Sequence, residues 1–168
     1  GGQKPSSEEN VVVNGVQYLK KAYNSADYYF NANNQLAVIK VTKPIVADAL
    51  DKALEAYKKA YAVDTKGTKK DDIIKGIQSV SEKLVQEAYD AYTFGDNAAA
   101  SKFFEAAANA LGSEPVGKID YEFIYNAGFT ALENGDLERA KNMLQQCVAN
   151  EYFGEGGEVF AKLADTLD

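Results

Sequence analysis

The amino-acid sequence predicts an all-α fold, an α-solenoid of about three antiparallel helical hairpins followed by a terminal helix. Two observations support this prediction. Apolar residues recur at three- and four-residue steps along nearly the whole chain, which is the period of an amphipathic helix. Two segments also repeat at a constant interval of 40 positions, a period typical of helical repeat proteins. The residue pairs that share this interval are Gly95 and Gly135, Asp96 and Asp136, Ala100 and Ala140, and Phe104 and Leu144.

The first ten residues lie outside the predicted repeats. Gly1 and Gly2 are interpreted as a tag scar or a cleaved end, and the polar residues 3–10 as a flexible segment. This leaves residues 11–168 as a single helical repeat domain. A chain that starts with such a segment has often lost a signal peptide, so we expect a periplasmic or secreted protein rather than a cytoplasmic one.

Two helices are predicted before Pro44. The first runs from about Ser7 to Tyr23, and the second follows a cap at Ser25 and ends before Pro44, because the residue that precedes a proline disfavours helix. Their apolar stripes are Val12, Val16, Leu19, Ala22 and Tyr23, and then Tyr29, Ala32, Leu36 and Ile39. The run Val11-Val12-Val13 is the best candidate for a strand, but its surroundings favour a helix start.

The remaining helices are predicted from proline, capping and turn residues. Pro44 suits the first turn of a third helix, and Asp71 opens a long helix that ends at the tight turn Gly95-Asp96. The helices predicted after this turn are Ala98 to Leu111, one that Asp120 caps and that ends at Asn134-Gly135, Leu137 to Val148, and a terminal helix from Glu158 to Leu167.

The recurring pattern resembles the tetratricopeptide repeat, whose unit is a pair of antiparallel helices with small residues where the helices touch. One copy consists of Ile124, Ala127, Gly128, Ala131, Gly135, Asp136, Ala140, Leu144 and Cys147. The other consists of Leu84, Ala88, Ala91, Gly95, Asp96, Ala100, Phe104 and Ala107, with Glu87 as a departure from the pattern. The resemblance covers roughly Tyr29 to the end, and its long inter-repeat loops are similar to those of bacterial cell-envelope members of the family.

Charge and composition exclude several classes of partner. The chain has 25 acidic and 18 basic residues, a formal net charge of −7, and no histidine. Nucleic-acid affinity comes mainly from Lys and Arg, and an anionic membrane surface also attracts basic segments, so neither partner is expected. No stretch approaches the ~20 apolar residues that a membrane span needs. We therefore expect no membrane insertion and a protein or peptide as partner.

No group of residues in the sequence indicates catalysis. The paired acids Asp71-Asp72 and Glu155/Glu158 lie at helix starts or in loops, where carboxylates favour the helix N-terminus. Cys147 occupies a small helix-packing position, and the chain has no histidine to act as its base. No phosphate-binding loop with a following Lys-Ser or Lys-Thr is present. We therefore predict a protein that is not an enzyme and that carries no metal or cofactor.

The resemblance implies that the first helices of successive repeats line a concave groove. Aromatic and acidic residues would line this groove. The predicted groove residues are Glu82, Val85, Gln86, Tyr89, Tyr92, Glu122, Tyr125, Asn126, Phe129 and Glu133. Rings beside carboxylates suit an apolar or basic peptide better than an acidic tail, because aromatic faces bury area and attract cations.

Two functions remain open at this point. The sequence favours a non-enzymatic scaffold that binds a protein or peptide in the groove. The alternative is a structural subunit or fragment of a larger helical assembly, with the groove filled by its own chain or by another copy. The terminal helix, with Phe160, Leu163, Ala164 and Leu167, is half apolar and is therefore a candidate for self-association.

Overall fold

A computed structural model of the chain describes residues 3–24, 26–41 and 45–167. The described residues form a four-stranded antiparallel sheet followed by six α-helices. The strands are β1 Ser7–Val13, β2 Val16–Ala22, β3 Ala26–Phe30 and β4 Leu36–Val41. The helices are α1 Ile45–Val63, α2 Lys70–Thr93, α3 Asn97–Gly112, α4 Tyr121–Glu133, α5 Leu137–Ala149 and α6 Glu158–Asp165, with a short 3₁₀ turn at Glu155–Gly157 before α6.

The predicted all-α solenoid is wrong, because residues 7–41 contain the sheet. The helix predicted from Ser7 to Tyr23 is the hairpin of β1 and β2. Asn14 and Gly15 connect these strands with φ angles of 49° and 77°, and Val13 pairs with Val16 across them. Asn-Gly suits such a two-residue turn because both residues tolerate a positive φ. The strand also overlaps the segment predicted to be flexible, since β1 begins at Ser7.

The second predicted helix, with its stripe Tyr29, Ala32, Leu36 and Ile39, is likewise replaced by strands β3 and β4. The aromatic run of β3 favours a strand. The Asn31 side chain organises the connection, because its carboxamide oxygen accepts the backbone N–H groups of Asn33 and Gln35 at 3.0 Å each. The predicted cap Ser25 and the predicted helix start Pro44 lie outside the described residues.

The sheet packs on the helices through one face. The strands follow the order β1-β2-β3-β4, and one face carries a small core of Tyr18, Tyr29 and Val38. Phe94, directly after α2, packs against this core. The Lys40 Nζ lies 5.5 Å from the centroid of the Phe94 ring. The sheet therefore sits at the turn that joins α2 to α3.

The helices predicted from Asp71 onward are confirmed in position. Three of them have an aspartate cap: Asp96 accepts the Ala99 N–H at 3.1 Å, Asp120 the Glu122 N–H at 3.0 Å, and Asp136 the Arg139 N–H at 3.2 Å. Gly95 and Gly135 both have a φ of 78°. The two equivalent turns therefore have the same geometry, as the 40-residue interval predicts.

The predicted helix-packing residues are buried. This group consists of Ala100, Phe104, Ala107, Ala127, Gly128, Ala140, Leu144 and Cys147. A Cβ at Gly128 would lie 3.1 Å from the Leu144 Cγ, so the missing side chain allows α4 and α5 to approach closely. Five of them, Ala100, Phe104, Ala127, Leu144 and Cys147, belong to one core cluster that also contains Ala88 of α2 and Val159 of α6, so this core extends from α2 to α6.

Two buried serines link successive helices in the same way. Ser81 of α2 donates its hydroxyl to the Ala107 carbonyl at 3.0 Å, and Ser101 of α3 donates to the Ala127 carbonyl at 2.7 Å. Both bonds span 26 positions. The repeated spacing therefore extends to the polar contacts between helices.

Candidate functional site

An aromatic cleft lies where α2, α3 and α4 meet. Its volume is about 160 Å³. We define the aromatic cleft by its lining residues, which are Tyr89, Tyr92, Phe104, Asn126, Phe129 and Thr130.

The helical period brings these side chains together. Tyr89 and Tyr92 are three positions apart on α2, and Asn126 and Phe129 have the same spacing on α4, so each pair shares one helix face. Phe104 of α3 forms the floor: it is buried, and its ring meets that of Tyr89 edge-on at a centroid distance of 5.2 Å. The cleft therefore rests on the helix core.

Both tyrosines on the wall of the cleft are open to solvent. Tyr89 is 48% exposed and Tyr92 is 43% exposed. Opposite them, the Phe129 ring lies 6.5 Å from that of Tyr92. A contiguous exposed aromatic surface of this kind commonly marks an interaction site.

The polar groups of the cleft differ in what they can still bind. Thr130 donates its hydroxyl to the Asn126 carbonyl at 2.7 Å, so its proton is already used. The half-buried side-chain amide of Asn126 makes no hydrogen bond within the described part of the chain. It can therefore offer both a donor and an acceptor to a ligand.

The aromatic surface continues beyond the cleft towards α6. The Tyr125 ring lies 6.4 Å from Phe129 on one side and 6.4 Å from Tyr152 on the other. Burial, and then the neighbouring Glu158 carboxylate, raise the pKa of Tyr125 to about 12. From α6, the Lys162 Nζ lies 5.1 Å from the Phe129 centroid. One end of the surface is therefore bounded by a cation.

The ten residues predicted as one groove are divided by the structure. Four of them, Tyr89, Tyr92, Asn126 and Phe129, line the aromatic cleft, and Tyr125 stacks beside it. The others are elsewhere. Glu82 and Val85 line a separate cleft with Phe123, Gln86 faces strand β4, and Glu122 and Glu133 are exposed near opposite ends of α4.

The packing of Val85 explains why Glu82 and Val85 are apart from the aromatic cleft. Val85 is half-buried and packs against two core clusters of the helices, one with Phe104 and Ile124 and the other with Leu84 and Ala107. Its side chain is therefore held by core packing and does not line the aromatic cleft. Three further contributors are not among the predicted residues: Phe104 as the floor, Thr130 on the wall and Lys162 at the end. The spacing of Asn126, Phe129 and Thr130 was a usable signal for Thr130, but the positions of Phe104 and Lys162 depend on tertiary packing.

Within residues 3–24, 26–41 and 45–167, no three or more Cys, Asp or Glu side chains are grouped so as to hold a metal ion. Each helix in the same ranges is too short or too polar to traverse a lipid bilayer.

Comparisons with protein-family models, with curated proteins and with solved structures found no match. The resemblance of the helical part to tetratricopeptide repeats therefore rests on its residues alone and stays a prediction.

Proposed function

We propose that this chain is a non-enzymatic binding module whose aromatic cleft holds a segment of another protein or a peptide. The observation that carries the proposal is the pair of exposed rings, Tyr89 and Tyr92, opposite Asn126 and Phe129. Tyrosine is favoured at interfaces because its ring buries a large area while its hydroxyl remains hydrogen-bonded.

The size of the cleft supports a polypeptide ligand. Small-molecule sites commonly have volumes of about 300–1,000 Å³, whereas the aromatic cleft has about 160 Å³. This space accepts one or two side chains of a longer ligand. The Asn126 amide can pair with the backbone of such a ligand, since a carboxamide matches the donor and acceptor of a peptide group.

The charge of the chain supports an apolar anchor with basic neighbours. The formal net charge of −7 attracts cationic segments over long range, and the open faces of Tyr89 and Tyr92 can hold a cation at short range. Lys162 already lies over Phe129, so a basic ligand residue would be placed at the α2 side of the cleft, away from Lys162.

A second candidate function is self-association through α6. The rings of Phe153 and Phe160 stack at a centroid distance of 5.2 Å, and they are 40% and 51% exposed. Such a stacked pair offers an apolar patch to another copy. The aromatic cleft is not filled by the described N-terminal strands, which pack on Phe94 instead, and this favours ligand capture over a cleft filled by its own chain.

One set of variants separates the two candidates. A displayed library of random peptides is selected on the immobilised protein, and the affinity of one selected peptide is measured in solution. We expect the double variant Tyr89→Ala/Tyr92→Ala to lose at least tenfold in affinity, because two anchor rings are removed. Phe160→Ala is the matched control, since it removes an equally exposed ring outside the cleft, and it should leave the affinity unchanged.

A further variant at Phe160 tests the second candidate. If self-association is the function, sedimentation should show a dimer at micromolar concentration that Phe160→Asp dissociates. Failure of the library to yield any peptide whose binding depends on Tyr89 and Tyr92 would refute the binding proposal.

A further inference from the structure

A second cleft lies between strand β4 and helix α2. Its volume is about 430 Å³. One wall consists of residues 36–39 of β4, and the other of Gln86, Glu87 and Asp90 of α2. We call this space the edge cleft. It is separate from the aromatic cleft, with which it shares no lining residue.

The lining shows that the edge cleft runs along the free edge of the sheet. Strand β4 has a bulge at Ala37, since Tyr29 pairs with Val38 and Phe30 with Leu36. Beyond the bulge, Val38 and Ile39 point to opposite faces of the sheet, so a cavity that both residues line runs along the edge of the strand. Strand β4 is the last in the order β1-β2-β3-β4, and among the described residues no strand pairs with its outer side.

Backbone polar groups of β4 point into this space. The Tyr23 N–H donates to the Ala26 carbonyl at 2.9 Å, which makes Tyr23 and Ala26 a hydrogen-bonded pair between β2 and β3. Hydrogen-bonded pairs alternate along an antiparallel ladder, so Tyr28 directs its backbone groups to β2. Ile39, opposite Tyr28, therefore directs its N–H and C=O away from β3 and towards the edge cleft.

The helix wall is acidic. Glu87 and Asp90 are three positions apart on one face of α2, and both are half-buried. Gln86 donates to the Asp90 carboxylate at 2.9 Å. Among the ion pairs of the described residues, none involves Glu87 or Asp90. Burial raises the pKa of both carboxyl groups, as expected for acids that lack a cation partner.

We infer that β4 accepts an extended segment of another polypeptide as a fifth strand, and that Glu87 and Asp90 bind a Lys or Arg side chain of that segment. The strand supplies backbone hydrogen bonds, as in other cases where a peptide adds to a sheet edge. The two carboxylates supply charge complementarity, which selects a basic partner and disfavours an acidic one.

The two faces of the sheet define the pattern of the partner. Val38 belongs to the face that packs on Phe94, whereas Leu36 and Ile39 are exposed apolar side chains. Side chains of an added strand that point to the helix side would meet Glu87 and Asp90, and those on the other side would lie beside Ile39. The expected ligand therefore alternates basic and apolar residues with a period of two.

The test uses a labelled six-residue peptide that alternates Lys and Val, with fluorescence anisotropy as readout. Its control is the same peptide with alternate backbone nitrogens methylated, which keeps the charge but removes the N–H groups that a strand needs. We expect the unmodified peptide to bind and the methylated one to lose at least tenfold in affinity. Equal binding of both would overturn the inference, because it would show attraction by charge alone.

Two protein variants complete the test. Glu87→Gln/Asp90→Asn should weaken binding about tenfold, and Glu82→Gln/Glu133→Gln, which removes two exposed acids elsewhere, should not. Ile39→Pro should abolish binding and keep the fold, because the N–H that it removes points away from β3, where proline is tolerated. Circular dichroism of this variant checks the fold, and Ile39→Ala, which keeps the N–H, should retain binding.

Amide chemical shifts then locate the peptide. Addition of the Lys-Val peptide should shift the Ile39 amide signal and slow its hydrogen exchange. If the largest shifts occur at Tyr89 and Phe129 instead, the peptide binds in the aromatic cleft, and the inference is overturned. A concentration-dependent dimer that Ile39→Pro dissociates would show that β4 pairs with a second copy of this chain. That result would also overturn the inference, because the partner would then not be a different polypeptide. Absence of binding at about 1 mM peptide would refute it outright.

Discussion

The ring of Tyr29 meets the ring of Phe94 nearly edge-on, with centroids 4.7 Å apart and planes at 76°. This pair joins the sheet to the helices, because Tyr29 lies in the core of the sheet and Phe94 follows α2 directly. Edge-to-face pairs of this kind contribute about 0.5–1.5 kcal/mol beyond the area that they bury.

Replacement of Phe94 by alanine should loosen the sheet from the helices. Phe94 is half-buried, so we expect a loss of about 2 kcal/mol in the free energy of unfolding, below the 3–5 kcal/mol of a fully buried Phe. Urea denaturation followed by circular dichroism measures it. Phe160→Ala, at an exposed ring, should change stability by less than about 0.5 kcal/mol, and a Phe94 variant as stable as this control would show that the contact does not hold the sheet.

Ser101 should matter more for stability than Ser81. Both donate to a carbonyl of the next helix, but the Ser101 hydroxyl also accepts the Arg139 Nε–H at 2.9 Å. Arg139 additionally forms an ion pair with Glu105. Ser81→Ala should therefore cost about 1 kcal/mol, the value of one hydrogen bond. Ser101→Ala should cost about 2–3 kcal/mol, because it also leaves a partly buried guanidinium donor unpaired.

Thermal or urea unfolding of the two serine variants provides the comparison. The double variant Ser101→Ala/Arg139→Met should recover part of the loss, since it removes the unpaired donor as well. Equal costs for Ser81→Ala and Ser101→Ala would contradict the role assigned to Arg139.

The carboxyl groups of the edge cleft should make stability depend on pH. Burial raises the pKa of Glu87, with a smaller contribution from Asp90, and burial also raises that of Asp90. Both groups hold protons more tightly in the folded state. Their contribution to stability is therefore most favourable below the unfolded values of about 4 and falls as the pH rises through the raised values.

The test compares wild type with Glu87→Gln/Asp90→Asn across this range. The variant lacks the two titrating groups, so its melting temperature should exceed that of wild type at neutral pH, and the difference should shrink as the pH falls below about 4. Glu82→Gln, on an exposed part of the same helix, is the control and should follow wild type. A difference that grows at low pH would reverse the predicted sign.

Cys147 should be unreactive in the folded protein. Its side chain is fully buried, and its thiol lies 3.6 Å from the Tyr121 carbonyl oxygen. Burial raises the pKa of the thiol to about 11, which leaves little thiolate at about pH 8, and the thiolate is the reactive form. A chromogenic thiol reagent should label the native protein slowly and the urea-unfolded protein at once. Rapid labelling without urea would contradict the packing of α5.

The helical part of the fold could be predicted because its signals are local. The turns at Gly95 and Gly135 and the caps Asp96, Asp120 and Asp136 each depend on residues that are close in sequence. The sheet was not predicted because Val12, Val16 and Leu19 match a helical period, and this match hides the turn signal of Asn14-Gly15. That dipeptide between valines was the signal for a hairpin.

The candidate sites were predictable to different degrees. Tyr89, Tyr92, Asn126 and Phe129 share the aromatic cleft because helical phase fixes their direction. Glu82 and Val85 line a different cleft from these four residues, because Val85 packs against two core clusters and that packing is a tertiary contact. The edge cleft could not be predicted from the sequence. It lies between Glu87 and Asp90 and strand β4, and the residues of β4 were predicted to be helical.

The most direct test of the binding function is a chemical-shift map of the isotope-labelled protein with a peptide selected from the random library. The largest shifts should occur at Tyr89, Tyr92, Asn126 and Phe129. They should disappear in Tyr89→Ala/Tyr92→Ala, and Phe160→Ala should retain them. Shifts centred on Phe153 and Phe160, with none at the aromatic cleft, would contradict the proposal that the aromatic cleft binds the peptide.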